Sequence, residues 1–339
     1  MPPVSLDALK STFFVFGFLS GNAPTDLAGK IRNYRPDLHL YEIPDQGLFY
    51  FTKPFYADVA EDEQMVWIKL GTAHGSGHRY STRDMMQKGW LDRQGIKLDA
   101  VHGSFTLAGF MKQEKRCFVF RNLVSPVSLG YRAVEGNLLL SDNLRLMSHF
   151  LDEAAPNEDV LLQHHINRQV FGESTYIQGV SILSGGEMIT FNQGESILEL
   201  KQDFRGFESQ AGQKPVNAET VDWYFEQLSS VIGARVDGNE HRSATLLSGG
   251  VDSSTMQAGI NSRPGVDFSF PSFSFVVDSP GFQFEVEYAK EASRLLGTDH
   301  NFLNVEPDKF PDWLVSSISI LGMPVHFDAP PSYLSLIHI

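Results

Sequence analysis

The fold of the second half of this chain is decided by one stretch, Ala244-Thr-Leu-Leu-Ser-Gly-Gly-Val-Asp-Ser-Ser254. It joins a short apolar strand, a Ser-Gly-Gly turn and the hydroxyl-rich start of a helix. Gly249 and Gly250 can adopt backbone angles closed to other residues and carry no Cβ, so backbone N–H groups can close around phosphate oxygens. The helix N-terminus adds its positive dipole end. Three hydroxyl groups add further donors, those of Ser248, Ser253 and Ser254.

Asp252 decides which anion this stretch can hold. A carboxylate beside bound phosphate repels it unless a divalent cation lies between them, so we predict Asp252 to be a Mg²⁺ ligand. The stretch lacks the lysine of G-x-x-x-x-G-K-[ST] and is no Walker A motif, and the absence of G-x-G-x-x-G at the turn disfavours a dinucleotide enzyme. A solvated Gly/Ser-rich turn is the simpler alternative. The preceding strand and the acid at this position favour a phosphate site.

Length and composition predict about two domains of ordinary globular character. The chain has 339 residues, of which 42% are hydrophobic and 20% charged. The net charge of -14 disfavours nucleic acid as a partner. No apolar run approaches the roughly 20 residues of a membrane span, so we expect no membrane partner and a cytoplasmic location. The single cysteine, Cys117, excludes a disulfide framework and is expected to be a buried apolar residue.

The first 203 residues have the pattern of an α+β domain with antiparallel sheet. Short β-branched or aromatic runs bounded by turn residues predict strands at Thr12–Leu19, Gly47–Lys53, Gly103–Met111, Lys115–Arg121, Asn137–Leu140 and Glu187–Phe191. Helices are predicted at Ser81–Leu91, where Ser81 and Asp84 can cap the first turn, and at Asp159–Phe171. The neighbouring His164 and His165 do not have the spacing of helical metal ligands.

After a linker at 204–215, the chain changes character. An amphipathic helix is predicted at Val216–Ile232, with Val221, Phe225, Leu228 and Ile232 on one face. Strands at 244–247, 272–277 and 301–305 then alternate with helices at 252–261 and 284–296, which predicts a Rossmann-like α/β domain with a parallel sheet. Such a sheet normally needs more than three strands, so we expect this domain, 216–339, to be truncated at its C-terminus.

Ser248-Gly-Gly-Val-Asp-Ser253 resembles the pyrophosphate loop, SGGxDS, of the N-type ATP pyrophosphatases, which cleave ATP between the α- and β-phosphates and activate a substrate as its adenylate. Later segments resemble the synthetase domain of the asparagine synthetase family in order and spacing, with Phe284 where the family has Asp. These segments are Ser272-Phe-Ser-Phe-Val276, Phe284-Glu-Val-Glu-Tyr-Ala289, Leu295-Leu-Gly-Thr-Asp-His300 and Gly322-Met-Pro324.

The resemblance implies an adenine nucleotide α-hydrolase-like fold, ATP and Mg²⁺ as cofactors, and Asp252 as the metal ligand. It implies an ATP site formed by Leu246, Leu247, Ser248, Gly249, Gly250, Asp252, Ser253, Ser254, Phe275 and Val276, with adenine near the four apolar residues of this set. It identifies no catalytic residue. The family's second metal-binding carboxylate lies in a Gly-x-Gly-x-Asp-Glu segment that does not occur here, so we expect weak nucleotide binding without turnover. Glu285 and Glu287 fit a helix start, and His300 a packed or solvated position.

The first half resembles the family's glutaminase domain, an Ntn-type fold of antiparallel sheets. The similar segments are Val101-His-Gly-Ser-Phe105, Phe120-Arg-Asn122, Leu140-Ser-Asp-Asn-Leu144, Tyr176-Ile-Gln-Gly-Val180 and Ser184-Gly-Gly186. Glutaminases of this class use an N-terminal nucleophile, whereas this chain begins Met1-Pro2-Pro3. We therefore expect residues 1–203 to be a degenerate, catalytically silent scaffold.

Two classes of function follow from these observations. The first is an ATP-dependent, AMP-forming amide ligase that activates a small-molecule or peptide carboxylate for attack by ammonia or an amine. Asparagine synthesis is the family default, and a β-lactam synthetase or a peptide cyclase such as those of lasso-peptide pathways is the specialised alternative. The second is a non-catalytic protein that binds a nucleotide or a partner.

Overall fold

A computed structural model describes most of the chain, in segments. The described residues are 14–18, 33, 39–43, 47–51, 57–75, 78–97, 101–125, 127–134, 137–151, 154–192, 197–202, 216–236, 243–263, 270–277 and 283–324. Two compact units are found. The first comprises Met1–Gly75, Tyr80–Glu208 and Ile318–His326, and the second comprises Ser76–Arg79, Ser209–Ser317 and Phe327–Ile339. The predicted linker at 204–215 lies outside the described residues, and the predicted domain boundaries stay a prediction.

Antiparallel strands dominate the amino-terminal region, as predicted. They are β1 (Phe14–Phe18), β2 (His39–Ile43), β3 (Gly47–Phe51), β4 (Ala57–Glu61), β5 (Met65–Gly75), β6 (His78–Tyr80), β7 (Leu91–Asp92), β8 (Gly95–Ile96), β9 (His102–Met111), β10 (Arg116–Arg121), β11 (Leu129–Val134), β12 (Asn137–Ser141), β13 (Ser181–Leu183), β14 (Glu187–Asn192) and β15 (Ile197–Gln202). One sheet has the order β13-β11-β12-β1-β3-β2, and a second runs β15-β14-β10-β9-β5-β4.

The two sheets share one core. Residues from both, among them Ile68 and Phe110 of the second sheet and Leu138 and Leu140 of the first, belong to a single buried cluster. The other face of the second sheet is also buried, because Trp67 and Phe105 pack in a separate cluster with residues of the β7–β8 hairpin and the helix α1 (Thr82–Gln87). A strand covered on both faces explains why β5 contains a continuous apolar run instead of alternating residues.

The predicted helices of this region exist but are shorter than predicted. Ser81 and Asp84 form the predicted capping box of α1, yet the helix ends at Gln87, and the following Gly89 has a φ of 68°. The helix α2 (Leu144–Phe150) was not predicted. The helix α3 (Glu158–Asn167) ends four residues before the predicted end at Phe171, because Arg168 adopts a left-handed φ of 58°. The spacing of apolar residues does not reveal these turns, so the helices predicted from that spacing were too long.

The second unit contains the predicted parallel sheet, with the order β16-β17-β18. Its elements are the helix α4 (Ala218–Val236), β16 (Thr245–Leu246), α5 (Val251–Asn261), β17 (Pro271–Val277), α6 (Gln283–Leu296) and β18 (Asp299–Val305). A short 3₁₀ turn at Pro307–Lys309 leads into the helix α7 (Phe310–Leu321), which was not predicted. The described part of the chain thus holds antiparallel sheets first and a parallel sheet later.

One predicted helix face needs correction. Ile232 of α4 is buried and packs with Ile260 of α5 and Phe270, and Leu228 and Val236 lie against this cluster. Val221, which was predicted to lie on the same face, is 56% exposed. The buried stripe therefore occupies the later turns of α4, where Ile232 meets Ile260 of α5 and Phe270. Among the described residues, no helix combines the length and the apolar character needed to cross a bilayer.

Candidate functional site

The Ser-Gly-Gly turn lies at the carboxyl end of β16, between the parallel sheet and α5. The N–H of Leu247 donates to the Phe273 carbonyl at 2.9 Å, which extends the ladder between β16 and β17 by one residue. The chain then leaves the sheet through 248–250 and enters α5 at Val251. Ligand sites of open parallel sheets occur at this edge, outside the carboxyl ends of the strands.

The two glycines of the turn have different roles. Gly249 has a φ of 79°, and a Cβ on it would lie 2.5 Å from the carbonyl carbon and oxygen of Tyr288 in α6. A side chain at this position is excluded both by conformation and by space. Gly250 has a φ of −71° and a ψ of 161°, angles open to any residue, and its added Cβ would meet only the Ser248 hydroxyl, at 3.4 Å. Of the two glycines, only Gly249 uses the backbone freedom that the sequence offers.

The start of α5 lacks the side-chain cap that is found at α1 and α3. Ser81 caps α1 and Asn157 caps α3 through their side chains, whereas α5 begins at Gly250 without any side-chain cap. The first N–H groups of a helix have no intrahelical acceptor, and they attract an anion when no side chain covers them. Ser248, Gly250 and Asp252 around this helix start are exposed, so a ligand can reach it.

Two serine hydroxyls of the site lie close together. Ser253 Oγ lies 3.1 Å from Ser248 Oγ and accepts the N–H of Ser248 at 3.2 Å. It also donates to the Gly250 carbonyl at 3.2 Å, and Ser248 Oγ accepts the N–H of Gly250 at 3.3 Å. These bonds shape the turn from within. Ser254 is partly buried one residue further along α5, where its N–H donates to the Gly250 carbonyl at 3.1 Å.

Asp252 lies in the first turn of α5 and is exposed. Its carboxylate has no ion pair with another residue of the described segments. No group of three or more His, Cys, Asp or Glu side chains with metal-site spacing is found among the residues that the structure describes. One carboxylate together with the phosphate oxygens and water is a donor set that Mg²⁺ commonly accepts, so this single residue fits such an ion.

The four predicted adenine contacts occupy the ends of neighbouring strands but do not share a face. Leu246 pairs with Phe273, so its side chain and that of Phe275 lie on one face of the sheet, whereas Leu247 and Val276 alternate to the other. Leu246 is 49% exposed and Leu247 is 1% exposed. One adenine ring could therefore contact the backbone of all four residues, but the side chains of only two of them.

A polar network beneath the turn was not predicted. Ser274 of β17 donates its hydroxyl to the Leu247 carbonyl, and its Oγ lies 3.0 Å from Nε2 of His300 on β18. The other ring nitrogen of His300, Nδ1, lies 2.7 Å from Ser272 Oγ. Partial burial lowers the pKa of His300. The sequence signal was the alternation in Ser272-Phe-Ser-Phe275, which aims two hydroxyls at one face of a buried strand.

The remaining candidates have ordinary structural roles. His164 Nδ1 lies 2.9 Å from the Tyr176 hydroxyl. Glu285 and Glu287 are exposed near the start of α6, and Glu287 pairs with Lys290 one turn later at 2.9 Å. Cys117 is fully buried in the core shared by the two sheets, as predicted.

The sequence of this region matches a protein family described as asparagine synthase, over residues 233–338. These residues belong to the asparagine synthase family. The matched segment contains β16, the Ser-Gly-Gly turn, α5 and the two strands that follow. The asparagine synthase match therefore covers the whole candidate site. No curated protein sequence is significantly similar to the chain.

Two solved structures are similar to the chain at low identity. One is the glutamine phosphoribosylpyrophosphate (PRPP) amidotransferase from B. subtilis complexed with ADP and GMP, with 8% identity, a TM-score of 0.34, and coverage of 86% of this chain and 81% of that one. The other is described as the allosteric regulatory enzyme of purine biosynthesis, with 9% identity, a TM-score of 0.32, and coverage of 88% and 76%. At these TM-scores neither likeness carries an argument.

Proposed function

We propose that this protein is an ATP-dependent, AMP-forming amide ligase whose nucleotide binds at the Ser-Gly-Gly turn. The observation that carries the proposal is the turn itself, an exposed and uncapped helix start at the carboxyl end of a parallel strand, within the residues that match the asparagine synthase family. Gly249 supports it, because its left-handed φ and the close approach of Tyr288 fix the path of the turn from the strand into the helix.

In this proposal the turn binds the β- and γ-phosphates of ATP. The donors would be backbone N–H groups at the start of α5 and the hydroxyls of Ser248, Ser253 and Ser254. The first two hydroxyls would exchange their present bonds within the turn for bonds to phosphate. Leu246, Leu247, Phe275 and Val276 offer backbone edges and apolar side chains to the adenine. Asp252 would hold Mg²⁺, which when bound supplies positive charge against the charge that develops on pyrophosphate.

The reaction that fits this site has two steps. A carboxylate oxygen of the substrate forms a bond to the α-phosphorus while the bond from that phosphorus to the bridging oxygen breaks, and pyrophosphate leaves. The nitrogen of ammonia or an amine then attacks the acyl carbon, loses a proton, and displaces AMP to leave an amide. The contribution of the turn is positioning and electrostatic stabilisation, since it holds the leaving group without reacting itself.

The first unit is proposed to be a glutaminase-like, Ntn-type scaffold without activity of its own. Its two antiparallel sheets, packed around a common core, support this proposal. The acceptor amine would then be free ammonia, a small metabolite or a peptide amine.

The test is nucleotide binding followed by ATP–pyrophosphate exchange in the full-length protein, with aspartate and a panel of small-molecule and peptide carboxylates. We expect Asp252→Asn to abolish Mg²⁺-dependent exchange by orders of magnitude. Asp312→Asn is the matched control, because Asp312 is also an exposed acid in the first turn of a helix of the second unit. ATP binding without exchange for any acid would favour the non-catalytic alternative, and equal losses in both variants would contradict the site.

A further inference from the structure

We infer that His300 is a positioning residue for the phosphate-binding turn, and that it acts through Ser274 on the peptide group between Leu247 and Ser248. In this inference His300 sets the conformation of the turn, and the consequence for ATP affinity rests on the function proposed above. Three observations carry the inference: the bonds at the two ends of one peptide group, the burial of Ser274, and the position of His300 between two serines.

The peptide group that joins Leu247 to Ser248 is held at both ends. Its carbonyl accepts the hydroxyl of Ser274, and its N–H donates to Ser253 Oγ at 3.2 Å. Because a peptide group is planar, these two bonds together set the direction in which the chain leaves the sheet. Gly249 comes one residue later with its left-handed φ. A rotation of this peptide plane would therefore change the direction of the N–H groups at the start of α5.

Ser274 has one proton and gives it to the Leu247 carbonyl. Its Oγ can therefore accept from His300 Nε2, 3.0 Å away, in the tautomer that carries a proton on that nitrogen. Ser274 is 8% exposed, so water contributes little to holding its hydroxyl in this rotamer. The imidazole is thus the group that directs the Ser274 proton toward the turn.

His300 is itself held in place from the opposite side. Ser272 Oγ lies within hydrogen-bond distance of both His300 Nδ1, at 2.7 Å, and Thr298 Oγ1, at 2.8 Å. The Phe302 ring lies edge to face against the imidazole, with the centroids 4.5 Å apart. Ser272 is fully buried, directly opposite His300 in the register of β17 and β18. The ring therefore has two serine partners that are alike in burial, and only Ser274 reaches the turn.

This asymmetry provides a matched pair of variants. Ser274→Ala and Ser272→Ala each remove one buried hydroxyl from His300, but only Ser274→Ala also frees the Leu247 carbonyl. We expect Ser274→Ala to weaken binding of Mg²⁺-ATP about fivefold or more, the effect of one neutral hydrogen bond, and Ser272→Ala to weaken it less, because Ser272→Ala leaves the bond from Ser274 to the Leu247 carbonyl in place. Thermal unfolding of both variants measures the shared loss of stability.

Substitutions of His300 provide a rescue test. The amide nitrogen of a glutamine can occupy the place of Nε2, whereas that of an asparagine reaches only the place of Nδ1. We expect His300→Gln to keep most of the ATP affinity, and His300→Asn and His300→Leu to lose it to the extent that Ser274→Ala does. Equal affinities for the Gln and Asn variants at matched stability would overturn the inference.

Hydrogen–deuterium exchange of the turn separates this inference from the proposed function. In the protein without nucleotide, we expect the amides of 248–251 to exchange about fivefold or more faster in Ser274→Ala than in Ser272→Ala. If wild type binds no ATP but this difference is present, the proposed function fails and the positioning role stands. If wild type binds ATP and the two serine variants do not differ in exchange or affinity, the positioning role fails.

Discussion

The backbone of Tyr288 lies so close to Gly249 that a Cβ on the glycine would overlap its carbonyl group, at 2.5 Å from both carbon and oxygen. Tyr288 belongs to α6, the helix after the one that the turn begins. Two successive crossover helices are thus in contact at the turn. This close approach seats the Ser-Gly-Gly turn against the backbone of α6, and the turn cannot move toward that helix without a clash.

Gly249→Ala is predicted to destabilise the second unit and abolish ATP binding. The substituted residue would have to adopt a φ near 79° and also displace the backbone of α6. We expect a loss of about 2–4 kcal/mol in the free energy of unfolding, measured by urea denaturation.

Gly297→Ala and Gly250→Ala are the controls for this prediction. Gly297 has a similar φ of 63° with nothing within 4 Å of its added Cβ, so it reports the conformational cost without the clash. Gly250 has ordinary angles and only one contact at 3.4 Å, so its alanine variant is expected to fold normally. A Gly249→Ala variant as stable as Gly297→Ala would contradict the clash.

The capping box of α1 is predicted to make the stability of the first unit pH-dependent. Ser81 donates to the Asp84 carboxylate through its hydroxyl at 2.6 Å and its N–H at 2.8 Å, and these bonds lower the pKa of Asp84. A carboxyl group whose pKa is lowered by folding stabilises the protein above its unfolded pKa of about 4, and this contribution is lost as the pH falls through the folded pKa.

Asp84→Asn should therefore cost stability at about pH 7 and cost progressively less as the pH falls to about 3, as measured by urea denaturation. Asp159→Asn, an exposed first-turn acid of α3, is the control. A difference between wild type and Asp84→Asn that grows on acidification would have the wrong sign. Ser81→Ala is expected to cost about 1 kcal/mol through loss of the cap.

The buried ammonium of Lys69 is predicted to depend on Asp58. Lys69 Nζ lies 2.8 Å from the Asp58 carboxylate and donates to the Tyr80 carbonyl at 2.6 Å, and its side chain is 2% exposed. Because Asp58 is 38% exposed and so partly screened, we expect Asp58→Ala to cost about 1–3 kcal/mol, less than for a fully buried pair.

Glu287→Ala is the comparison for Asp58→Ala, since it breaks the exposed pair with Lys290 and should change stability by less than about 0.5 kcal/mol. Lys69→Met, which removes the charge that needs compensation, is expected to cost less than Asp58→Ala. The opposite ranking in denaturant unfolding would show that the ammonium is satisfied without its carboxylate.

Cys117 is predicted to be unreactive in the native protein. Burial raises the pKa of its thiol well above the ordinary value, and only the thiolate reacts with disulfide reagents. Ellman's reagent at mildly alkaline pH should therefore titrate no thiol in the folded chain and one in guanidinium chloride. Rapid reaction of the folded protein would contradict the buried position in the core.

Elements with a strong local signal were predictable from sequence. The strand, turn and helix at 244–261 follow from an apolar strand, two glycines and a hydroxyl-rich helix start. Each observed end of the strand and the helix lies within one residue of its predicted position. Lengths were less predictable. The helix α1 ends just before Gly89, a helix-stop signal that the predicted bounds passed over, whereas α3 ends at Arg168, a residue type that gives no such signal.

Pairing across the chain was beyond sequence reasoning. Trp67 packs on Gly109, its register partner in β9, and a Cβ there would lie 2.4 Å from the indole ring. Nothing in either local sequence indicates that this glycine makes room for that ring. The same holds for Gly249 and Tyr288, which are 39 positions apart and meet only when α6 crosses the sheet.

The sequence by itself determined the chemistry available at the turn, because glycine, serine and aspartate are the residues that leave backbone amides accessible and offer hydroxyl and carboxylate oxygens. The tertiary structure decided which of these residues is irreplaceable and what holds the turn in place. Gly249 is constrained by a neighbouring helix and Gly250 is not, and the Leu247 carbonyl is held by a serine and a histidine from two other strands. The physical reason is that local conformation follows from adjacent residues, whereas close approach and buried hydrogen bonds depend on segments that meet only in the folded chain.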